Sequence, residues 1–226
     1  MDGGPAGPPC RQAVPQATDR RKDVGVKRRL KSNMRMPWSL EIWEEDLPTG
    51  VTLVRKCLYR RNALLRRMQV IGLRREARIL KRLNRLAPGV APRLLGDSEA
   101  SLELEKLAGP VLDEIADGLA DDGNLFQQLA GAVGRMHAAG VAHGELRLGN
   151  LMLHEDRVVI IDFETAQEDG SRCFALMRAW DRLGLIWLKQ HVFRLPLDDD
   201  DRAFRRRHRI LGVLFRIGQA RDMKVR

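Results

Sequence analysis

Aromatic side chains are scarce in this chain: Tyr59 is the single tyrosine among 226 residues, beside six phenylalanines and four tryptophans. Reading of unpaired bases needs rings on which bases stack, so sequence-specific nucleic-acid recognition is not expected. Cysteine is equally sparse. Cys10, Cys57 and Cys173 are far apart and odd in number, which provides neither a disulfide framework nor a zinc spacing and points to a reducing compartment. Long apolar runs are missing too. The opening "MDGGPAGPPC" holds no signal-peptide core, and "LGLIWL" at 183–188 is too short to cross a bilayer, so a cytoplasmic chain is expected. There is no internal repeat.

Basic residues, by contrast, are abundant and unevenly placed. The net charge is +10, yet residues 1–38 hold nine basic and three acidic side chains and residues 202–226 nine and one, which leaves the middle near −4. A mildly acidic body with basic ends fits docking to an anionic membrane surface or an acidic partner, and a peripheral position at the inner face of the membrane is consistent with it. Five of the ten prolines fall in residues 1–38, which read as a flexible basic leader without a core.

Hydrophobic periodicity divides the rest. "SLEIWEE" and "VTLVRKCLY" flank the turn "DLPTG" and read as a hairpin with Lys56 on its second arm. A helix is predicted over about 72–87, with Leu73, Ala77, Leu80, Leu83 and Ala87 along one face, and "VAPRLLG" breaks it. "SLELEKL" at 101–107 alternates as a strand, ended by "AGP". A second helix is expected from an Asn124 N-cap to a stop at Gly140. "LML" and "RVVIIDF" read as two strands joined by "HEDR". An apolar helix over 174–193 carries Asp181, and a basic helix over 203–220 follows. The predicted architecture is α+β and two-lobed: a strand-rich N-lobe with one helix over 39–107, and a mostly helical C-lobe over 108–226 with a cleft between them.

Two groups of residues carry chemistry. Between 55 and 85 there are twelve Arg or Lys side chains and one acid, Glu76. Glu76 follows Leu73 by three residues and precedes Leu80 by four, so helical geometry turns it inward, where a carboxylate needs a cation. Lys56 is the first candidate. Arg55 is its rival, because strand alternation could reverse which of the two points inward. The second group is the loop "HGELRLGNLML". Glu145 can accept a hydrogen bond from an acceptor hydroxyl, while Asn150, five residues on, and Asp162, twelve further, offer hard oxygen ligands to Mg²⁺. His143 is read as a structural residue of the loop, with Arg147 and Gly149 shaping its turn.

"REARILKRL", "MHAAGVAHGELRLGNLML" and "VVIIDFETA" together resemble the small atypical kinases: lipopolysaccharide-core sugar kinases, RIO-type kinases and the compact kinase of the tRNA-modifying KEOPS complex. The resemblance covers about residues 50–190. It implies a protein-kinase-like fold that uses ATP and Mg²⁺ to phosphorylate a hydroxyl, on a lipopolysaccharide-core sugar, another small molecule or a protein Ser/Thr. By the same resemblance Lys56 is the phosphate-binding lysine, Glu76 its helix partner, and Glu145 the catalytic-loop acid. Asn150 and Asp162 are the metal ligands, Asp181 supports the loop from its helix, and Glu105, Lys106 and Leu107 meet adenine through their backbone.

Three departures from the family pattern stand out. No G-x-G-x-x-G covers the phosphates, "DFE" replaces "DFG", and Glu145 stands where Asp is usual. The extra methylene moves the carboxylate by about 1.5 Å, and misplacement on the order of 1 Å can cost roughly 100-fold in rate. The alternative reading is therefore a nucleotide-binding pseudokinase that acts as an interaction module; a third is a non-specific RNA-binding protein. His137, His143 and His154 show no metal spacing. "DDDD" at 198–201 is read as a helix cap, and the C-terminal helix as packed with its basic side in water.

Overall fold

A computed structural model of the chain describes residues 27–32, 40–47, 49–58 and 62–215. They divide into two compact units. The first runs to Lys81 and includes Arg93–Lys106; the second takes Arg82–Pro92 and the chain from Leu107 onward. The expected division at 107 was contiguous, whereas Arg82–Pro92 groups with the second unit.

The first unit is an antiparallel sheet of five strands in the order β1-β2-β3-β5-β4, with one helix. β2 (Glu41–Asp46) and β3 (Thr52–Cys57) form the expected hairpin, closed where Leu47 donates its amide to Val51 O. β5 (Ser101–Glu105) pairs on the other side of β3. Two strands differ from expectation. β1 (Lys27–Ser32) lies within the segment read as a leader and pairs with β2, and β4 (Leu94–Asp97) occupies the stretch read as a break. Both are edge strands, whose pairing comes from backbone groups of a neighbour and requires no alternating side-chain pattern of their own. The rest of the expected leader lies outside the described residues.

Helix α1 (Ala63–Leu86) starts nine residues before its predicted beginning, with Asn62 Oδ1 accepting from the amides of Leu64 and Leu65. Its first turns expose Leu64, Met68 and Ile71. The inward stripe becomes regular only from Leu73, which is why periodicity placed the start late. Cys57 is buried at the end of β3, and Cys173 is exposed and free.

In the second unit, α2 (Gly123–Ala138) is capped by Asp122, which accepts from Leu125 N at 2.8 Å. The expected cap, Asn124, lies inside the first turn, because the helix begins where a carboxylate first reaches an N3 amide. A two-stranded ribbon, β6 (Val141–Ala142) with β9 (Gln167–Glu168), and the hairpin β7 (Leu151–His154) with β8 (Arg157–Ile160) frame the loop between them. α3 (Phe174–His191) follows as predicted. α4 (Asp199–Arg207) is capped by Asp198, with three further acids in its first turn. The basic helix expected over 203–220 is interrupted at His208; residues 209–215 are helical again, and 216–226 lie outside the described residues. The core is formed by Leu129, Val133 and Met136 of α2 with Leu151, Val159, Ile160, Phe163 and Leu188. Among the described residues no helix is long and apolar enough to cross a membrane.

Candidate active site

Strand register settles which basic residue of β3 meets Glu76. Lys56 lies opposite Ile42 and Leu102, and Arg55 opposite Trp43 and Glu103, so the two occupy opposite faces of the sheet. Lys56 turns to α1, where its Nζ is 2.6 Å from Glu76 Oε1. Arg55 turns away to Glu45 and Glu103. Glu76 Oε2 is buried and accepts no hydrogen bond in the structure.

The loop of the second unit is held by one buried carboxylate. Asp181, fully buried in α3, accepts the amide of Gly144 on Oδ1 at 2.7 Å and that of His143 on Oδ2 at 2.8 Å; His137 Nε2 lies 2.9 Å from Oδ2. Gly144 is at φ 79°, and a Cβ there would stand 2.9 Å from Met177 Sδ, so a side chain is excluded by conformation and by space.

His143 ties the loop to the segment after β8. Its Nδ1 accepts from Glu145 N, which leaves the proton on Nε2, 3.0 Å from the Ile161 carbonyl. The Phe163 ring meets the imidazole edge-on, and Thr165 Oγ1 donates to His143 O. His143 is thus a structural residue of the loop.

Glu145 and Asn150 are joined directly, since Asn150 Nδ2 donates to Glu145 O at 2.9 Å. Ile161 N in turn donates to Asn150 O at 2.9 Å, so the residue just before Asp162 is hydrogen-bonded to Asn150. Asp162 follows in the left-handed region, at φ 68° and ψ 69°. Non-glycine residues rarely adopt this conformation, and it is held here by the buried Phe163 on one side and the Ile161 contacts on the other. Glu145 is half-exposed with Oε1 3.3 Å from Arg147 Nη2. Sequence reasoning assigned Arg147 only to the turn; its position two residues after the acid was the available signal.

The residues expected to meet adenine are partly engaged. Glu105 donates its amide to Arg93 O and receives Arg93 N and Nε on its carboxylate. Lys106 pairs with Glu44. Among the described residues no hydrogen bond engages the main chain of Lys106 or Leu107, so those two retain backbone groups for a ligand.

The donor set was compared with what a divalent cation needs. Asn150 spends its amide hydrogen inward on Glu145 O, and the side-chain oxygen remains as the ligating end. With an Asp carboxylate it would make a hard-oxygen donor pair of the kind Mg²⁺ takes, an ion that needs few protein ligands when phosphates supply others. No cluster of three His, Cys, Asp or Glu occurs among the described residues, and a shared site of this kind requires none. Asn150 and Asp162 fit the ion.

A sheet-and-helix unit with a buried Lys–Glu pair, and a helical unit whose loop joins an acid, an amide and an aspartate, define a protein-kinase-like fold of the atypical kind. Residues 54–189 match the lipopolysaccharide kinase (Kdo/WaaP) family, and the chain belongs to it. It is 36% identical over 118 residues to the EKC/KEOPS complex subunit BUD32 of Encephalitozoon cuniculi, covering 50% of this chain and 58% of that one. Identity to the KEOPS complex subunit Bud32 of Pyrococcus abyssi is 28% over 125 residues, 51% and 57% of the two chains. With a probable bifunctional tRNA threonylcarbamoyladenosine biosynthesis protein of Methanocorpusculum labreanum it is 34% over 111 residues, 48% of this chain and 20% of the other. The chain therefore spans less than two thirds of each of these relatives.

Proposed function

We propose that this chain is an ATP- and Mg²⁺-dependent phosphotransferase acting on a hydroxyl. The observation that carries the reading is the pair of hydrogen bonds through Asn150, from its side chain to Glu145 O and from Ile161 N to its own carbonyl, which tie the loop of Glu145 and Asn150 to the segment that leads into Asp162. Lys56, oriented by Glu76, would take phosphate oxygens of the nucleotide, and the main chain of Lys106 and Leu107 would take adenine. Asn150 and Asp162 would hold Mg²⁺, which when bound neutralises charge on the phosphates. Glu145 would accept the hydrogen bond of the attacking hydroxyl and orient it; its intrinsic pKa is close to that of Asp, so the residue change alters reach more than proton affinity.

The family's description favours a lipopolysaccharide-core sugar as acceptor, with a protein Ser/Thr hydroxyl as the other choice. Two relatives are named as complex subunits, which supports a protein partner for this chain as well. A use of ATP supports a position in the cytoplasm, and the basic C-terminal segment would allow a peripheral position on an anionic membrane.

A second reading, the nucleotide-binding pseudokinase, is favoured by the Glu145–Arg147 ion pair, which occupies the carboxylate that should meet the acceptor. Thermal unfolding with and without ATP plus Mg²⁺ tests the shared premise. The wild type should be stabilised and Asp162→Ala should not; an unshifted wild type refutes both readings. Turnover of ATP separates them: an active wild type silenced by Asp162→Ala is an enzyme, and an inactive one revived by Glu145→Asp is a decayed kinase.

A further inference from the structure

Away from the loop, the second unit contains a cavity of about 270 Å³ between α3 and the C-terminal helical segment. Its apolar lining comes from Leu183 and Ile186 of α3 with Phe215, the first two buried and the last seated edge-on against Trp180. Half-buried Trp187 adds a ring to the wall. Arg205, Arg206 and Arg209 also line it.

The charges around this recess are not balanced locally. Three of the four acids at the α4 start are committed elsewhere: Asp198 and Asp201 to Lys189, and Asp199 to Arg202. Arg205 donates to the neutral Gln190 at 2.9 Å. Among the described residues no carboxylate pairs with Arg205, Arg206 or Arg209. Guanidinium groups are planar forks that match phosphate oxygens two at a time, and three of them with no paired carboxylate among the described residues favour a dianion over a single carboxylate. The apolar lining below requires that the anion carry an apolar body, and the volume limits that body to about a ring or a short chain.

We infer that this recess is an accessory binding site for a phosphomonoester borne on a small apolar group. The phosphate meets Arg205, Arg206 and Arg209 while the apolar group rests on Leu183, Ile186 and Phe215 beside Trp187. The site is independent of the proposed phosphotransfer, since it uses none of the loop residues.

The full chain titrated with phenyl phosphate at constant ionic strength, read by tryptophan fluorescence and calorimetry, tests this. Binding should be saturable and should persist in Lys56→Met combined with Glu76→Leu, which removes the proposed nucleotide lysine together with its buried partner. Inorganic phosphate, lacking the ring, should bind about tenfold more weakly or worse. Arg206→Ala with Arg209→Ala should weaken phenyl phosphate by about tenfold or more, while Arg202→Ala, whose partner is Asp199, should not. Gly212 also lines the cavity, and a Cβ there would make ordinary contact with Leu183 Cδ2 at 3.9 Å. Gly212→Leu should therefore block the recess without altering its charge. Binding unchanged in the double arginine variant or in Gly212→Leu overturns the site, as does equal affinity for inorganic phosphate. Binding to phosphatidic acid vesicles but not to phenyl phosphate overturns it in favour of a membrane-facing basic surface.

Discussion

The Lys56 ammonium lies 2.6 Å from Glu76 Oε1, with the two residues only 5% and 1% exposed. Burying two charges costs several kcal/mol of lost hydration, and their attraction offsets that cost only while both are present. A pair of this kind is weak evidence of a stability device and better evidence of an ammonium kept in a set place. Lys56 shares its side of the sheet with its cross-strand neighbours Ile42 and Leu102, and Glu76 reaches it from α1.

Glu76→Ala is expected to lower unfolding stability by about 3–5 kcal/mol, because it removes the carboxylate against which the Lys56 ammonium is buried. Lys56→Met combined with Glu76→Leu should recover most of that loss and still show no thermal shift with ATP plus Mg²⁺. Urea denaturation of the three proteins checks the first part. A double variant as unstable as the single one would show that packing, and not the unpaired charge, accounts for the loss.

Glu145→Gln removes the carboxylate while keeping its length, and should reduce turnover by about 100-fold or more with the nucleotide-induced thermal shift intact. Steady-state ATP turnover beside a melting curve makes the comparison. Loss of the shift together with turnover would mean that Glu145 supports the fold of the loop through more than its main-chain bonds to His143 and Asn150.

Asp181→Asn replaces an acceptor of two main-chain amides and a His137 contact by a group with one accepting atom. One buried donor loses its partner, so stability should fall by about 2–3 kcal/mol. Amide hydrogen exchange should quicken at His143 and Gly144 before the rest of the second unit. Uniform quickening would argue against a local brace.

Lys189 donates to Asp198 and holds its carboxyl down from the usual 3.8 to about 2. A depressed carboxylate contributes stability above its unfolded value and loses it as pH falls through the folded one. The melting-temperature gap between wild type and Asp198→Asn should therefore be constant above about pH 5 and close progressively below the usual 3.8, toward about 2. Asp198 also caps α4, but an Asn side-chain oxygen accepts the same bond from Asp201 N, so the gap reports the charge and not the cap.

The candidate site residues were legible where short spacings bring them together. Glu145 and Asn150 sit on one loop because five residues separate them, and Glu76 turns inward because a helix repeats every 3.6 residues. The position of Asp162 was reachable by the same logic, since a hairpin with four-residue arms returns Ile161 to the main chain of Asn150. Edge strands escaped because β1 and β4 borrow their order from β2 and β5. The α2 cap moved from Asn124 to Asp122 because two capping residues compete within one turn and the fold selects between them.

By itself the sequence determined the loop, the inward acid of α1, the helices α2 and α3, and the hairpins, all of which follow from spacing and periodicity within about ten residues. Only the tertiary structure decided that Lys56 and not Arg55 meets Glu76, that Arg147 pairs with Glu145, and that the basic helix encloses a recess with α3. Each of those outcomes depends on which face of one element meets another, and that choice is made by burial and register summed over the whole fold.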